Sequence, residues 1–220
     1  MTTLQPKAVI FDMDGLLIDS ETVSAQAFKD TALDYGLSDS YGIFLSLVGC
    51  NENSHKLILE EKLGQQLDAH QFRLDWIDRY QTILAQGVPP LLPGVVELLD
   101  WLKSTDIKMA VATSSGASTA KHKLSDNGIY DYFLSITTGD DVTISKPNPE
   151  IYTKAAASIH VQPQYIWALE DSENGVRAAV AAGMNVIQVP NLVKPSEELL
   201  SLGHTVYGDL HDVLKAFKMP

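Results

Sequence analysis

Four acidic side chains in two short clusters are the groups in this sequence best placed to do chemistry. Asp12 and Asp14 lie in Phe11-Asp12-Met13-Asp14-Gly15, directly after the apolar run Ala8 to Phe11, and Glu170 with Asp171 directly follows Ile166 to Leu169. Apolar runs this short read as buried parallel strands. Both clusters then fall at strand ends, where open α/β sheets bind their ligands. Two carboxylates about 4 Å apart repel by roughly 4 kcal/mol at an effective dielectric of about 20. Gathering three or four of them calls for a cation, and hard oxygen ligands suit Mg2+.

On an extended segment residues i and i+2 point the same way, so Asp12 and Asp14 can reach one small ligand, and Gly15 lets the backbone turn sharply beside it. An Asp-Gly turn closing a strand is the competing account of this segment. A hairpin, however, needs a matching strand next, and Leu16 to Ser20 leads into a helix. Lys146 sits in Ser145-Lys146-Pro147-Asn148-Pro149, where the prolines are expected to hold extended backbone and stiffen the loop, which suits pinning a phosphate. Thr113-Ser114-Ser115-Gly116 follows the run Met109 to Ala112 and precedes a helix. Its hydroxyls and amides make an anion seat, with helix capping by Ser114 or Ser115 as the other use, and both uses are compatible.

The elements that must position these groups alternate along the chain. Apolar runs at Ala8 to Phe11, Met109 to Ala112, Ile166 to Leu169 and Val186 to Val189, with a weaker one at Tyr132 to Ile136, read as strands. Helices are expected at Gly94 to Ser104, Ala117 to Asn127, Glu150 to Ser158, Glu173 to Ala182 and His211 to Phe217, with Gly128 and Gly183 as left-handed C-terminal residues. The alternation predicts an α/β fold, a Rossmann-like parallel sheet with helices on both faces. The stretch from about Ser20 to Gln86 is too long for a simple crossover and is helical in period. Phe28, Ala32 and Tyr35, then Phe72, Trp76, Ile77 and Tyr80, mark its apolar faces. It is expected to form an inserted all-helical domain over 19–87, with the α/β core made of 1–18 and 88–220. Leu16 to Asp19 and Gly87 to Gly94 form the two-stranded hinge between them.

The net charge of −12 over 220 residues excludes nucleic acid as a partner and leaves a phosphate ligand dependent on a metal and local lysines. No 18-residue stretch is free of charge, so no membrane span is expected, and the first seven residues lack the apolar core of a secretory signal. Cys50 is the single cysteine and reads as an incidental thiol, and none of the six histidines has zinc spacing. A cytoplasmic monomer is expected.

Taken together, Phe11-Asp12-Met13-Asp14-Gly15, Thr113 after a strand, Ser145-Lys146-Pro147 and Leu169-Glu170-Asp171-Ser172-Glu173-Asn174-Gly175 resemble the motif set of the haloacid dehalogenase superfamily, in its capped phosphatase and phosphomutase branch. The resemblance spans nearly the whole chain. It implies that Asp12 is the nucleophile that becomes an aspartyl phosphate, and that Asp14 protonates the leaving alcohol and then activates water. It implies that Thr113 and Lys146, with Ser114 beside them, grip phosphate oxygens. It implies Mg2+ held by Asp12, the Asp14 carbonyl and Asp171, with Glu170 as a further candidate ligand. Asp14 favours phosphate esters over haloacids, because a halide leaves without a proton. The mutase histidine position of the branch falls at about Ser24, and Leu47 to Asn53 carries no Arg or Lys to hold a second phosphate. Water is therefore the expected acceptor and small sugar or polyol phosphates the expected partners. A β-phosphoglucomutase-like phosphomutase and an idle phosphate-binding protein are the alternatives. Asn51, Glu52 and Asn53 are candidates for sugar hydroxyls or simply an exposed loop.

Overall fold

The computed structural model of the chain describes residues 6–37, 40–48, 52–64 and 67–219, without the side chains of 52–54. Cys50 and Asn51, and the side chains of Glu52 and Asn53, thus lie outside the described residues. Six strands build one parallel sheet: β1 (Ala8–Phe11), β2 (Lys108–Ala112), β3 (Ser135–Thr137), β4 (Ile166–Glu170), β5 (Asn185–Gln188) and β6 (Thr205–Val206), in the spatial order β3-β2-β1-β4-β5-β6. Tyr130–Tyr132 is a short 3-10 turn and β3 starts only at Ser135, so the expected strand at Tyr132 to Ile136 is shorter and later than its apolar run. Strand β6 was not expected.

Side-chain alternation along the strands assigns each residue to one of two cores. Val9, Phe11, Met109, Val111, Leu169 and Ile187 pack with α5 (Val95–Ser104), α6 (Ala117–Asp126) and α10 (Leu210–Lys218) on one face. Ala8, Ile10, Ala110, Ala112, Ile166, Ala168 and Val186 pack with α7 (Glu150–Ser158), α8 (Glu173–Ala181) and α9 (Glu197–Leu200) on the other. A strand buried on both faces has no polar side to show, which is why these read as continuous apolar runs. Gly128 and Gly183 adopt φ of 71° and 78° just past α6 and α8, as the spacing predicts.

Among the described residues between β1 and β2 there are four helices before α5: α1 (Ser20–Asp34), α2 (Tyr41–Leu47), α3 (Glu52–Leu63) and α4 (Ala69–Leu84). They share a separate core in which Phe28 meets Phe44, Phe72 and Trp76 at ring separations of 5.6, 5.2 and 5.1 Å. Asp19 caps α1, its carboxylate accepting from Thr22 N at 3.3 Å. Ile77 departs from expectation and faces solvent at 36% exposure, because the buried stripe of α4 runs through Phe72, Trp76 and Leu84. The two crossings lie side by side. Asp19 N donates to Pro90 O at 2.9 Å, Leu92 N to Leu17 O at 3.0 Å, and Ile18 bridges Leu91. Among the described residues no helix is long and apolar enough to cross a membrane.

Candidate active site

Strand order reverses at β1, which has β2 on one side and β4 on the other, and this switch point is where the two acidic clusters meet. Register does the positioning. Phe11 pairs with Leu169 across β1 and β4 and with Val111 across β1 and β2, so Asp12, Glu170 and Thr113 emerge from one edge of the sheet. Asp12 N donates to Leu169 O at 2.9 Å, carrying the pairing one residue past the strand. Asp12, Glu170 and Asp171 are all buried and present oxygens within 4.8 Å of one another. Two glycines permit this crowding. A Cβ on Gly15, whose φ is 83°, would lie 2.3 Å from Asp171 Oδ2, and one on Gly175 would lie 1.9 Å from Glu170 Cδ.

Lys146 inserts its ammonium between the clusters, donating to Asp12 Oδ1 and Glu170 Oε1, each at 2.6 Å, and to Ala112 O at 3.0 Å. The loop that holds it differs in detail from expectation. Pro149 is helical, with ψ of −3° at the N-cap of α7, because the chain turns directly into that helix. Glu170 also accepts from Tyr152 OH, Asp171 N, Ser172 N and Ser172 Oγ, so both its oxygens are fully engaged. Gln188 donates to the Asp171 carbonyl at 3.0 Å and receives support from His204 at 2.8 Å.

Asp14 is held differently. Its Oδ1 pairs with Lys123 at 2.5 Å, and its Oδ2 accepts from Ser115 Oγ at 2.7 Å and Thr113 Oγ1 at 3.4 Å. Lys123 is a participant that sequence reasoning missed. Its helical spacing was the available signal: three residues after Ala120, it shares that residue's buried face. Ser115 braces Asp14 and Ser114 lines the cavity, and neither side chain caps α6, whose first amide, Ala117 N, donates to Asp140 instead.

Asp12, Asp14, Thr113, Ser114, Lys146 and Asp171 open into one cavity of about 490 Å³. The helical insertion covers it with Glu21, Ser24, Phe44, Leu47, Val48, His55 and Trp76. His55 stacks on Trp76 at 5.8 Å, so Trp76 serves the insertion core and the cavity wall at once. Tyr80 packs against the insertion core as expected, and its hydroxyl reaches the junction, where Lys123 Nζ donates to it at 3.2 Å.

The charge balance shows whether these residues fit a divalent cation. One ammonium serves both Asp12 and Glu170. Despite the cost of burial, Lys146 is held protonated by its two anionic neighbours. Burial raises Asp12 to about 8, Lys146 opposing the rise and Glu170 adding to it. Burial, then Asp12 and Glu170, raise Asp171 well above the usual carboxylate range. A cluster left this short of positive charge, built of hard oxygen donors, fits Mg2+. Asp14 moves the other way: burial favours its neutral form, but Lys123 and then Ser115 outweigh it and the carboxyl is lowered.

Linkage gives this a measurable sign. Because Asp12 is raised from 3.8 to about 8, the folded protein binds more protons than the unfolded chain between those values. Its contribution to stability is full below about 4 and is lost as pH rises through about 8. Thermal melts in chelator are expected to fall between pH 5 and pH 8, and Mg2+ to raise melting most at pH 8. A Mg2+ stabilisation that shrinks with rising pH would contradict the cation assignment.

The profile of the haloacid dehalogenase-like hydrolases matches residues 9–189. The phosphorylated carbohydrates phosphatase of Thermotoga maritima is 31% identical over 213 residues, covering 96% of this chain and 98% of that one. The fructose-1-phosphate phosphatase of Escherichia coli is 30% identical, covering 82% of this chain and 95% of that one. In three dimensions the chain resembles CbbY of Rhodobacter sphaeroides in complex with xylulose-(1,5)bisphosphate, with a TM-score of 0.76 at 26% identity, covering 98% of this chain and 100% of that one. With the family's profile running from the first strand to just past the fifth, the chain belongs to the haloacid dehalogenase-like hydrolases, as a phosphatase with a helical cap over its α/β sheet.

Proposed function

We propose that this protein is a Mg2+-dependent hydrolase of small phosphomonoesters, sugar or polyol phosphates, acting through an aspartyl phosphate on Asp12. The observation that carries the reading is the convergence of Asp12, Glu170 and Asp171 within 4.8 Å on a cavity also lined by Asp14, Thr113 and Lys146. Asp12 attacks phosphorus as the ester bond breaks, and Asp14, in its protonated form and against the pull of Lys123 toward the carboxylate, delivers a proton to the leaving oxygen. Water then attacks the aspartyl phosphate, Asp14 takes its proton, and Asp12 and inorganic phosphate are released. Thr113, Ser114 and Lys146 bind the nontransferring oxygens. Asp12, Asp171 and the Asp14 carbonyl would hold the metal, with Glu170 either a further ligand or, through its five donors, the brace of the set. Bound Mg2+ would supply neutralisation of phosphoryl charge, the main demand of this chemistry.

Residues 19–87 act as the cap that excludes bulk water and meets the leaving group. Its described lining is apolar, aromatic and hydroxyl-bearing, with Glu21 as its acidic member and His55 as its imidazole. Among its described lining residues the insertion offers no Lys or Arg to hold a second phosphate, which supports water rather than a phosphosugar as acceptor. The relative named for phosphorylated carbohydrates supports the substrate class. A panel of phosphorylated metabolites tests this. Phosphate release is expected with sugar and polyol monophosphates in preference to bisphosphates, to vanish on chelation and to return with Mg2+. Full activity after exhaustive chelation, or isomerised sugar phosphate without phosphate release, would refute it.

A further inference from the structure

Lys123 stands outside every motif discussed so far, yet it is 2% exposed and its ammonium is the partner of the Asp14 carboxylate. Burying an ammonium costs several kcal/mol unless paired, and an apolar residue of similar volume is often as stable or more so. A lysine at this depth is therefore better explained by what it holds than by stability. It holds two things from opposite sides of the cavity. On the core side its Nζ lies 2.5 Å from Asp14 Oδ1, while Ser115 pins Oδ2 at 2.7 Å, so the carboxylate is fixed at both oxygens. On the other side Nζ donates to Tyr80 OH at 3.2 Å and lies 5.7 Å from the Tyr80 ring centre. Tyr80 belongs to α4, in the helical insertion. One turn further along, Asn127 donates from the C-terminus of α6 to Pro89 O, in the second crossing, at 3.1 Å. The C-terminal half of α6 thus reaches the acid/base residue, the insertion and the hinge.

We propose that Lys123 is a positioning residue that aims the Asp14 carboxylate, and that Tyr80 ties this aim to the placement of the helical insertion over the cavity. This rests on the reading of Asp12 as nucleophile and Asp14 as acid and base. Lys123 does not line the cavity and acts through Asp14 alone. The step most exposed to a loss of aim is hydrolysis of the aspartyl phosphate: water must lose a proton to Asp14 as its oxygen bonds phosphorus and the phosphorus bond to Asp12 breaks. Formation of the intermediate from p-nitrophenyl phosphate is less exposed, because p-nitrophenolate leaves without a proton.

The test is pre-steady-state hydrolysis of p-nitrophenyl phosphate by the full chain with Mg2+, comparing wild type, Lys123→Met, Tyr80→Phe and Asp14→Asn. For Lys123→Met, kcat is expected to fall about 10²-fold, the scale of an ångström-level misplacement, while kcat/KM falls at least about tenfold less, within the range assigned to acid-base catalysis. A burst of p-nitrophenolate equal to the enzyme, with phosphoenzyme trapped on quenching, accompanies the fall. Tyr80→Phe, which removes one oxygen and spares the packing, gives the same pattern at roughly three- to tenfold in kcat, a fraction of the acid-base effect. Equal falls in kcat and kcat/KM for Lys123→Met, without a burst, would overturn the positioning role. A wild-type kcat in Tyr80→Phe would overturn the tie to the insertion. Asp14→Asn separates the two levels. A burst there but none in Lys123→Met removes only the inference on Lys123, whereas no phosphoenzyme in Asp14→Asn removes the assignment of the site and the inference with it.

Discussion

Asp12→Asn is expected to abolish phosphate release, by on the order of 10⁴-fold or more, as removal of a covalent nucleophile does. The same change should leave the fold as stable as before, or more stable in chelator. Asp12 sits among Glu170 and Asp171 with a carboxyl raised to about 8, so an amide removes a repulsion while keeping the shape. Mg2+ should stabilise the variant less than wild type, since one anionic oxygen of the cluster is gone. The measurements are phosphate release from p-nitrophenyl phosphate and thermal melts with Mg2+ or chelator. Undiminished turnover would end the nucleophile assignment. Loss of activity together with a much lower melting temperature would mean that Asp12 is chiefly structural.

Gly175→Ala opposes two effects of known sign. In a helix, alanine is favoured over glycine by roughly 0.5–1 kcal/mol, and Gly175 lies in α8. A Cβ there would fall 1.9 Å from Glu170 Cδ and Oε1, and Glu170 has no room to yield because Lys146, Tyr152, Ser172 and two backbone amides hold it. Overpacking of this kind costs about 1–3 kcal/mol, and each donor that loses the buried carboxylate adds to it. The packing term wins, so a lower urea midpoint is expected, with activity reduced because Lys146 loses its second anchor. A stabilised variant with intact activity would show that the carboxylate side of the site yields cheaply.

The residues that were legible in the sequence are those whose position follows from strand register. Asp12, Thr113, Glu170 and Asp171 each lie at or immediately beyond the end of a strand, and parallel pairing of Phe11 with Val111 and Leu169 places them together. Gly128 and Gly183 were legible because a glycine just past a helical run commonly takes the left-handed conformation that ends the helix. Lys123 was harder to see. It follows the polar residues Lys121 and His122, and only the interval from Ala120 to Leu124 marks its side as buried. Tyr152, whose hydroxyl supports Glu170, is not marked in the sequence, because nothing around it reports a partner 18 residues away. The two-residue strand β6 is too short to show any alternation, and Pro149 was misplaced because the same fixed φ serves extended and helical backbone.

The paired crossings at Asp19–Pro90 and Leu17–Leu92 make the helical insertion a cassette whose ends leave the sheet one hydrogen bond apart. Closure entropy grows only with the logarithm of the enclosed length, so lengthening or replacing such a cassette costs the parent domain little. On the proposed function, inheritance can therefore rework the walls that would meet the alcohol without disturbing the strand ends that would meet phosphorus, and a laboratory graft between those crossings is expected to trade one specificity for another while keeping the same reaction.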